Sequence, residues 1–509
     1  MPVKKKSTPK PGDRKRRAVG PPADWRVRIR MHRQGVGDCF LVTFKNGGSP
    51  VHMLFDCGVL PASPAEFNHL EAVTAAVRDE VIANGGTLDV IVVTHEHADH
   101  VSGFEPKKKA TQNLDGVPVK QVWMAWTEDP DDKIAKKLNG QLGMQALAAA
   151  AILPKLKAAA TDERPGRFNA RAGESAADVA DILSNWGLPD GQAAKSTGQL
   201  RLGAAVSTSM GLALSTTVRA AMEHVKSRVP ESGFLKFRPG EPPHAVPGIP
   251  KDKVRVFVLG PPRIEDLDKS PRHGPKDDIF HLVDGDIRAQ AYSLAVAAAA
   301  TDDPNSRPFE KVTSGQASSS LKKLKKRYNE TPWRRIDSDW LLAGAEFAMQ
   351  LDSATNNTSL VLAIELVETG EVLLFPGDAQ IENWETWRNV KWKLTDAAGT
   401  SSTVTGEDLL RRTVFYKVGH HGSHNGTLDV HGLQLMPSSG LVAMCPVVHA
   451  VTSKRKGDWK QIPKQSLCTA LENKCGDGFL RMDAPQGMLG GRLGGRVQET
   501  ELWVDYFLV

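Results

Sequence analysis

Long apolar runs are missing from this 509-residue sequence. Its most apolar stretches, residues 144–153 and 294–300, are Ala-rich and far shorter than the roughly 18–20 residues that a membrane-spanning helix needs. Neither can be a span. No apolar segment follows the basic residues near the amino terminus, so a secretory signal is not expected and a cytoplasmic setting is. Cysteine is scarce. The five (Cys39, Cys57, Cys445, Cys468 and Cys475) are an odd number without a C-x-x-C pair, which argues against a disulfide framework and for reduced thiols. Aromatic residues make up only 6% of the chain, whereas 45 glycines and 32 prolines favour a loop-rich α/β protein over a helical bundle.

A basic body is also lacking, although the formal net charge is +6. Residues 1–22 hold eight Lys and Arg against Asp13 alone, and the rest of the chain is close to neutral. Such a Pro/Lys/Arg tail cannot pack a core. It would hold phosphates through salt-sensitive contacts, or it is a solubilising tail without a partner.

The periodicity gives an α/β order. Strands are predicted at 25–31, 39–44, 51–55, 88–94 and 119–126, with a helix over 65–83. The glycine turn Gln34-Gly35-Val36-Gly37-Asp38 separates the first two strands. Further strands are predicted at 254–260, 359–366, 371–375, 413–418, 440–445 and 502–508. The expected organisation is a basic tail (1–24), a core (25–127), a mainly helical insertion (128–252), a core strand (253–263), an irregular insertion or lid (264–338) and a second core part (339–509). The second insertion includes the basic cluster 322–327. No internal repeat of fixed period is present.

The chemistry concentrates in His95-Glu96-His97-Ala98-Asp99-His100, at the carboxyl end of a predicted buried strand. Spacing of i, i+2 directs the imidazoles of His95 and His97 toward one metal, while Asp99 and His100 can turn toward a second. Borderline-soft ions such as Zn2+ favour imidazole with carboxylate, and an open coordination position leaves room for water.

Thr94-His95-Glu96-His97-Ala98-Asp99-His100 resembles the second motif of the metallo-β-lactamase fold. Phe55-Asp56-Cys57-Gly58 resembles its first motif, Leu374-Phe375-Pro376-Gly377-Asp378 a later strand-end motif, and Lys417-Val418-Gly419-His420-His421-Gly422-Ser423 a motif that supplies another histidine. The four arrive in the expected order, each after a predicted strand. Within that superfamily the chain is most similar to the soluble domain of ComEC-type competence proteins, to which Gly35-Val36-Gly37-Asp38 and Asn356-Asn357-Thr358-Ser359 also correspond.

The resemblance implies an αββα sandwich with a helical insertion and a cytoplasmic metal-dependent hydrolase that uses a metal-bound hydroxide. Two Zn2+ ions are expected, with Mn2+ the alternative. The implied ligands are His95, His97, Asp99, His100, Asp378 and His420. Asp56, Asn357 and Ser423 would orient them, Asp99 would also hold the hydroxide, and His421 or His424 would protonate the leaving group. Two departures stand out. His97 occupies a position where ComEC-type domains usually have Asp, which favours zinc. The extra histidine that many dinuclear members carry ahead of the bridging Asp has no counterpart, and Gln461-Ile462-Pro463 lacks the histidine of the usual Gly-His-Pro.

The leading expectation is a phosphodiesterase or nuclease acting on nucleic acid or another phosphodiester. A hydrolase of small esters, thioesters or lactones is the alternative, and a non-catalytic, partner-binding member is the third.

Overall fold

A computed structural model describes residues 20–61, 63–161, 167–188, 216–263, 323, 326–327, 339–395, 399–437, 439–455 and 457–509. The basic tail 1–19 and nearly all of the second insertion, including most of the 322–327 cluster, lie outside the described residues. Sixteen strands are described. They are β1 (Val27–His32), β2 (Phe40–Phe44), β3 (Val51–Phe55), β4 (Leu88–Val92), β5 (Val119–Ala125), β6 (Phe234–Phe237), β7 (Val254–Gly260) and β8 (Val361–Leu366). There follow β9 (Glu371–Phe375), β10 (Lys391–Thr395), β11 (Ser401–Thr405), β12 (Thr413–Lys417), β13 (Val442–Cys445), β14 (Phe479–Arg481), β15 (Val497–Glu499) and β16 (Trp503–Leu508).

One sheet has the order β15-β16-β1-β2-β3-β4-β5-β6 and the other β14-β13-β12-β9-β8-β7, with β10 and β11 forming a separate ribbon. In the first sheet β3, β4, β5 and β6 are mutually parallel, as are β9, β12, β13 and β14 in the second. Every residue of β3 and β4 is buried, as expected where both faces of a parallel sheet are covered. Parallel strands place their carboxyl ends on one side, and that edge is where open α/β sheets bind ligands. The motif residues all leave from those ends.

The layers follow from which side chains are buried together. Ile29, Met53 and Val90 of the first sheet meet Val256, Leu362 and Phe415 of the second in a shared core. On the outer side of the first sheet, helices α1 (Leu70–Ala83), α2 (Ala98–Val101) and α3 (Lys109–Asp115) cover Leu54 and Ile91. The far side of the second sheet is covered by later helices, including the segment that carries Trp384 and Trp387. Those two indoles are buried and stacked with centroids 4.1 Å apart, so they are core, not cleft.

Helices α4 (Lys133–Ala160), α5 (Arg167–Asn185), α6 (Thr217–Ser227) and α7 (Ala343–Asn356) lie between β5 and β8. The side chain of Asp132 caps α4 by accepting from the amides of Ile134 and Ala135, an arrangement worth about 1 kcal/mol. Leu153 of α4, Leu183 of α5 and Leu351 of α7 share a separate core. The stretch read as a helical insertion is therefore not helical to its end. Val218 and Met222 of α6 pack on the first sheet, and β6 extends that sheet's edge beside β5. Conversely, α7 lies in sequence beyond the second insertion but packs with the helical layer.

Candidate metal centre

The ligand run leaves β4 in a tight loop that two neighbouring turns touch through backbone. The amide of Asp38 donates to the carbonyl of Asp99 at 3.0 Å, that of Gly58 to the carbonyl of Asp38 at 3.0 Å, and that of Cys57 to the carbonyl of His100 at 2.8 Å. Side chains would not fit there. A Cβ on Gly37, whose φ is +144°, would lie 2.5 Å from the carbonyl oxygens of Asp99 and Gly58. A Cβ on Gly58 would meet the backbone of Asp99 and His100 and come within 2.6 Å of the Ala98 carbonyl oxygen. The glycines in these two turns are thus required by close approach.

Asp56 sits at a positive φ of 51°, a strained conformation for a non-glycine residue. Its Oδ1 accepts from the Thr94 amide at 2.8 Å, and its Oδ2 accepts from the Thr94 hydroxyl at 2.7 Å and lies 2.9 Å from His100 Nδ1. That carboxylate makes Nδ1 the protonated nitrogen and leaves His100 Nε2 facing the site, the usual orientation of a metal-binding imidazole. His421 is held the same way, with Nδ1 3.0 Å from the carbonyl oxygen of Pro446.

The free nitrogens converge. His100 Nε2 lies 3.1 Å from Asp378 Oδ2, and His421 Nε2 lies 3.0 Å from Asp99 Oδ2 and 3.3 Å from Asp378 Oδ2. Asp38, His100, Asp378 and His421 each offer a ligand atom within 4.8 Å of the others, and all four are buried. Beside them, His95 Nε2 and His97 Nδ1 stand 3.1 Å apart, and His95 Nδ1 lies 3.0 Å from the Thr94 hydroxyl. Lys417 Nζ reaches Asp38 Oδ2 at 2.5 Å and Asp378 Oδ1 at 3.1 Å.

The electrostatics are those of a site that wants cations. Burial disfavours imidazolium, yet Asp378, Asp38, Asp56 and Asp99 raise His100 well above the ordinary histidine value. Against the same penalty, Asp378 and Asp99 lift His421 to about 10. Burial would raise Asp378 too, but His100, Lys417 and His421 hold it well below the carboxylate range. His97, by contrast, is lowered to about 4, chiefly by burial.

Each sequence-derived candidate can now be placed. His95, His97, Asp99, His100, Asp378 and His421 come together. His420 does not join them. Both histidines of the pair have left-handed backbone, with φ of 45° for His420 and 50° for His421, and this splays them apart. His420 turns to Asn356 Nδ2 (3.4 Å) and Asn425 Oδ1 (3.2 Å), and burial lowers it to about 4. The preference for His420 over His421 as the inward histidine is therefore corrected by backbone geometry. Asn357 Oδ1 accepts from the Gln380 amide at 3.0 Å and braces the loop after Asp378 from outside the cluster. The Ser423 hydroxyl donates to Asn425 Oδ1 at 2.9 Å, and exposed His424 lines the pocket outside with His420 and Ser423.

Sequence reasoning gave no role to Asp38, Lys417 or Asp352. The signal for Asp38 was available, since a carboxylate between a glycine turn and an apolar strand must find a buried partner. Asp352 stands on α7, and its Oδ1 lies 3.7 Å from His97 Nε2. The helical layer also grips the loop directly. Asn185 at the end of α5 accepts from the Asp99 amide at 3.3 Å, and Arg219 of α6 reaches Glu96 at 2.7 Å.

The residues present fit divalent cations. His97 Nε2, Asp99 Oδ1 and Asp38 Oδ1 are buried without a hydrogen-bond partner, a condition that natural proteins rarely leave uncompensated. Asp38, Asp56, Asp99 and Asp378 are buried and Asp352 adjoins them, and among the described residues the ammonium enclosed by this group is that of Lys417. Five carboxylates and one ammonium leave four negative charges, which two divalent ions balance when the histidines are neutral ligands. Among the described residues, no helix is long and apolar enough to cross a membrane. No curated protein matches the chain. Residues 32–169, which contain the whole His95–His100 loop, match the family model of the metallo-beta-lactamase superfamily, and the mixed α/β structure is consistent with the metallo-beta-lactamase fold.

Proposed function

We propose that the chain is a metal-dependent hydrolase whose substrate is a phosphodiester. The observation that carries the reading is the buried convergence of Asp38, His100, Asp378 and His421 beside His95, His97 and Asp99, at the carboxyl ends of strands from both sheets. Bound there, divalent zinc or manganese would polarise the scissile group and make water nucleophilic at neutral pH, and a pair of ions would clamp the oxygens of an in-line displacement. Asp38, His100, Asp378 and His421 would hold one ion, and His95 with His97 would contribute to the other. Asp99, with one oxygen on His421 and the other unpaired, is positioned to orient the attacking water. His424 at the pocket mouth would protonate the leaving group. The resemblance to ComEC-type domains supports a phosphodiester, since the motifs and their order agree.

One observation favours the second reading, a small ester, thioester or lactone. The pocket beside the site, which Asp352 and His420 line, is walled by Ile182 of α5 and by Met349 and Ser353 of α7. Such a wall suits a small molecule better than a duplex.

The test is elemental analysis of purified protein, with the same samples assayed on bis-p-nitrophenyl phosphate, linear DNA and a panel of thioesters and lactones. Bound metal with phosphodiester cleavage is expected. Bound metal with cleavage of the small esters alone moves the assignment to the second reading. Absence of metal after reconstitution overturns both.

A further inference from the structure

His97 Nδ1 lies 3.1 Å from His95 Nε2, so its other nitrogen, Nε2, is the one left to face an ion, and no third histidine stands beside the pair in the sequence. The structure brings a different residue to that place. Asp352 Oδ1 lies 3.7 Å from His97 Nε2, which is too long for a hydrogen bond. Two donors bound at about 2.0–2.1 Å to one tetrahedral ion stand roughly 3.3 Å apart, so the spacing needs to close by only a few tenths of an ångström. His97 Nε2 is buried and has no hydrogen-bond partner.

The carboxylate is also held in position. Asn356, one helical turn further along α7, donates from Nδ2 to Asp352 Oδ2 at 3.0 Å and leaves Oδ1 as the oxygen nearest His97. Asp352 also lines the pocket, so an ion held by it would be within reach of a molecule bound there. The carboxylates of Asp99 and Asp378 are close enough to act on that of Asp352, an unfavourable neighbourhood that a cation would relieve.

We propose that Asp352 is the third protein ligand of the His95–His97 metal position, where it replaces a histidine by a carboxylate delivered from the helical layer. The proposal rests on the metal-hydrolase reading. It makes α7 part of the centre and explains why the helix packs away from the sheet strand that follows it. A site of two histidines and one carboxylate keeps a fourth position for water, as catalytic zinc sites do.

The test uses the full-length chain with zinc and cobalt as probes. Metal content and affinity are measured by equilibrium dialysis for wild type, Asp352→Asn and Asp352→His, with near-ultraviolet circular dichroism to establish folding. In Asp352→Asn one of two ions is expected to bind at least about 10-fold more weakly while the other is unchanged, the scale seen when a metal loses a supporting group. Asp352→His, which returns a donor, should recover most of that loss and shift the cobalt absorption bands. Folded variants that keep the wild-type number of ions, affinities and cobalt spectrum overturn the proposal and leave the hydrolase reading standing. A wild type without metal overturns both.

Discussion

His421 Nε2 lies 3.0 Å from Asp99 Oδ2, although 322 positions separate the two residues. The contact joins the loop after β4 in one sheet to the turn after β12 in the other. It closes the site across the sandwich. Removing the imidazole should therefore cost metal as well as turnover. In His421→Ala we expect metal affinity to fall by at least about 10–100-fold. His420→Ala should keep the wild-type metal content, because that ring faces Asn356 and Asn425. Elemental analysis of the two variants side by side decides between them.

Asp56 acts at one remove, through Thr94 and His100. Asp56→Ala frees His100 to rotate and to change tautomer, so zinc affinity should drop about 10–100-fold without loss of any direct donor. Competition with a chromophoric chelator measures it. An unchanged dissociation constant would show that the backbone alone orients the ring.

Lys417 is enclosed between Asp38 and Asp378. Lys417→Met leaves both carboxylates without their cation, and breaking a buried pair in this way costs about 3–5 kcal/mol. We expect the urea midpoint of the metal-free protein to fall accordingly. Added zinc should recover part of the loss, because it supplies the missing positive charge.

Gly58→Ala introduces a methyl group that runs into the backbone of Asp99 and His100. The loop must shift, and the ligands shift with it. Reduced metal content with a largely retained far-ultraviolet spectrum is the expected outcome. Wild-type metal binding by this variant would contradict the close approach.

His32 is fully buried, with Nδ1 3.1 Å from the carbonyl oxygen of Cys39, and burial lowers it from 6.5 to about 3. Below pH 6.5 the unfolded chain takes up this proton while the folded protein does not. Stability from this residue is thus complete above pH 6.5 and falls by about 1.4 kcal/mol per pH unit on acidification toward 3. His32→Gln, which can still donate to Cys39, should give a shallower acid limb. Urea titrations from pH 7 to pH 5 compare the slopes.

Much of the fold is legible in the sequence. Buried strands such as Val51–Phe55 and Val254–Gly260 are mostly apolar, interrupted by His52 and Arg255, and their positions follow from the cost of exposing the rest. The ligand run His95–His100 is contiguous, so local spacing was sufficient to read it. What hid β6 was its length, four residues inside an Ala- and Lys-rich stretch that otherwise has helical periodicity.

The chain by itself determined the strand-and-loop grammar and the four motifs, because each depends on neighbours within a few residues. Tertiary structure decided the rest. It selected His421 over His420 through two left-handed backbone positions. It enclosed Lys417 between two carboxylates from distant loops, and it carried Asp352 on α7 to within reach of His97. These are long-range placements, set by which ends of parallel strands face one another and by which helix fills the remaining apolar surface. No local pattern encodes such distances, and the buried charges they bring together are compensated only when the whole sandwich has closed.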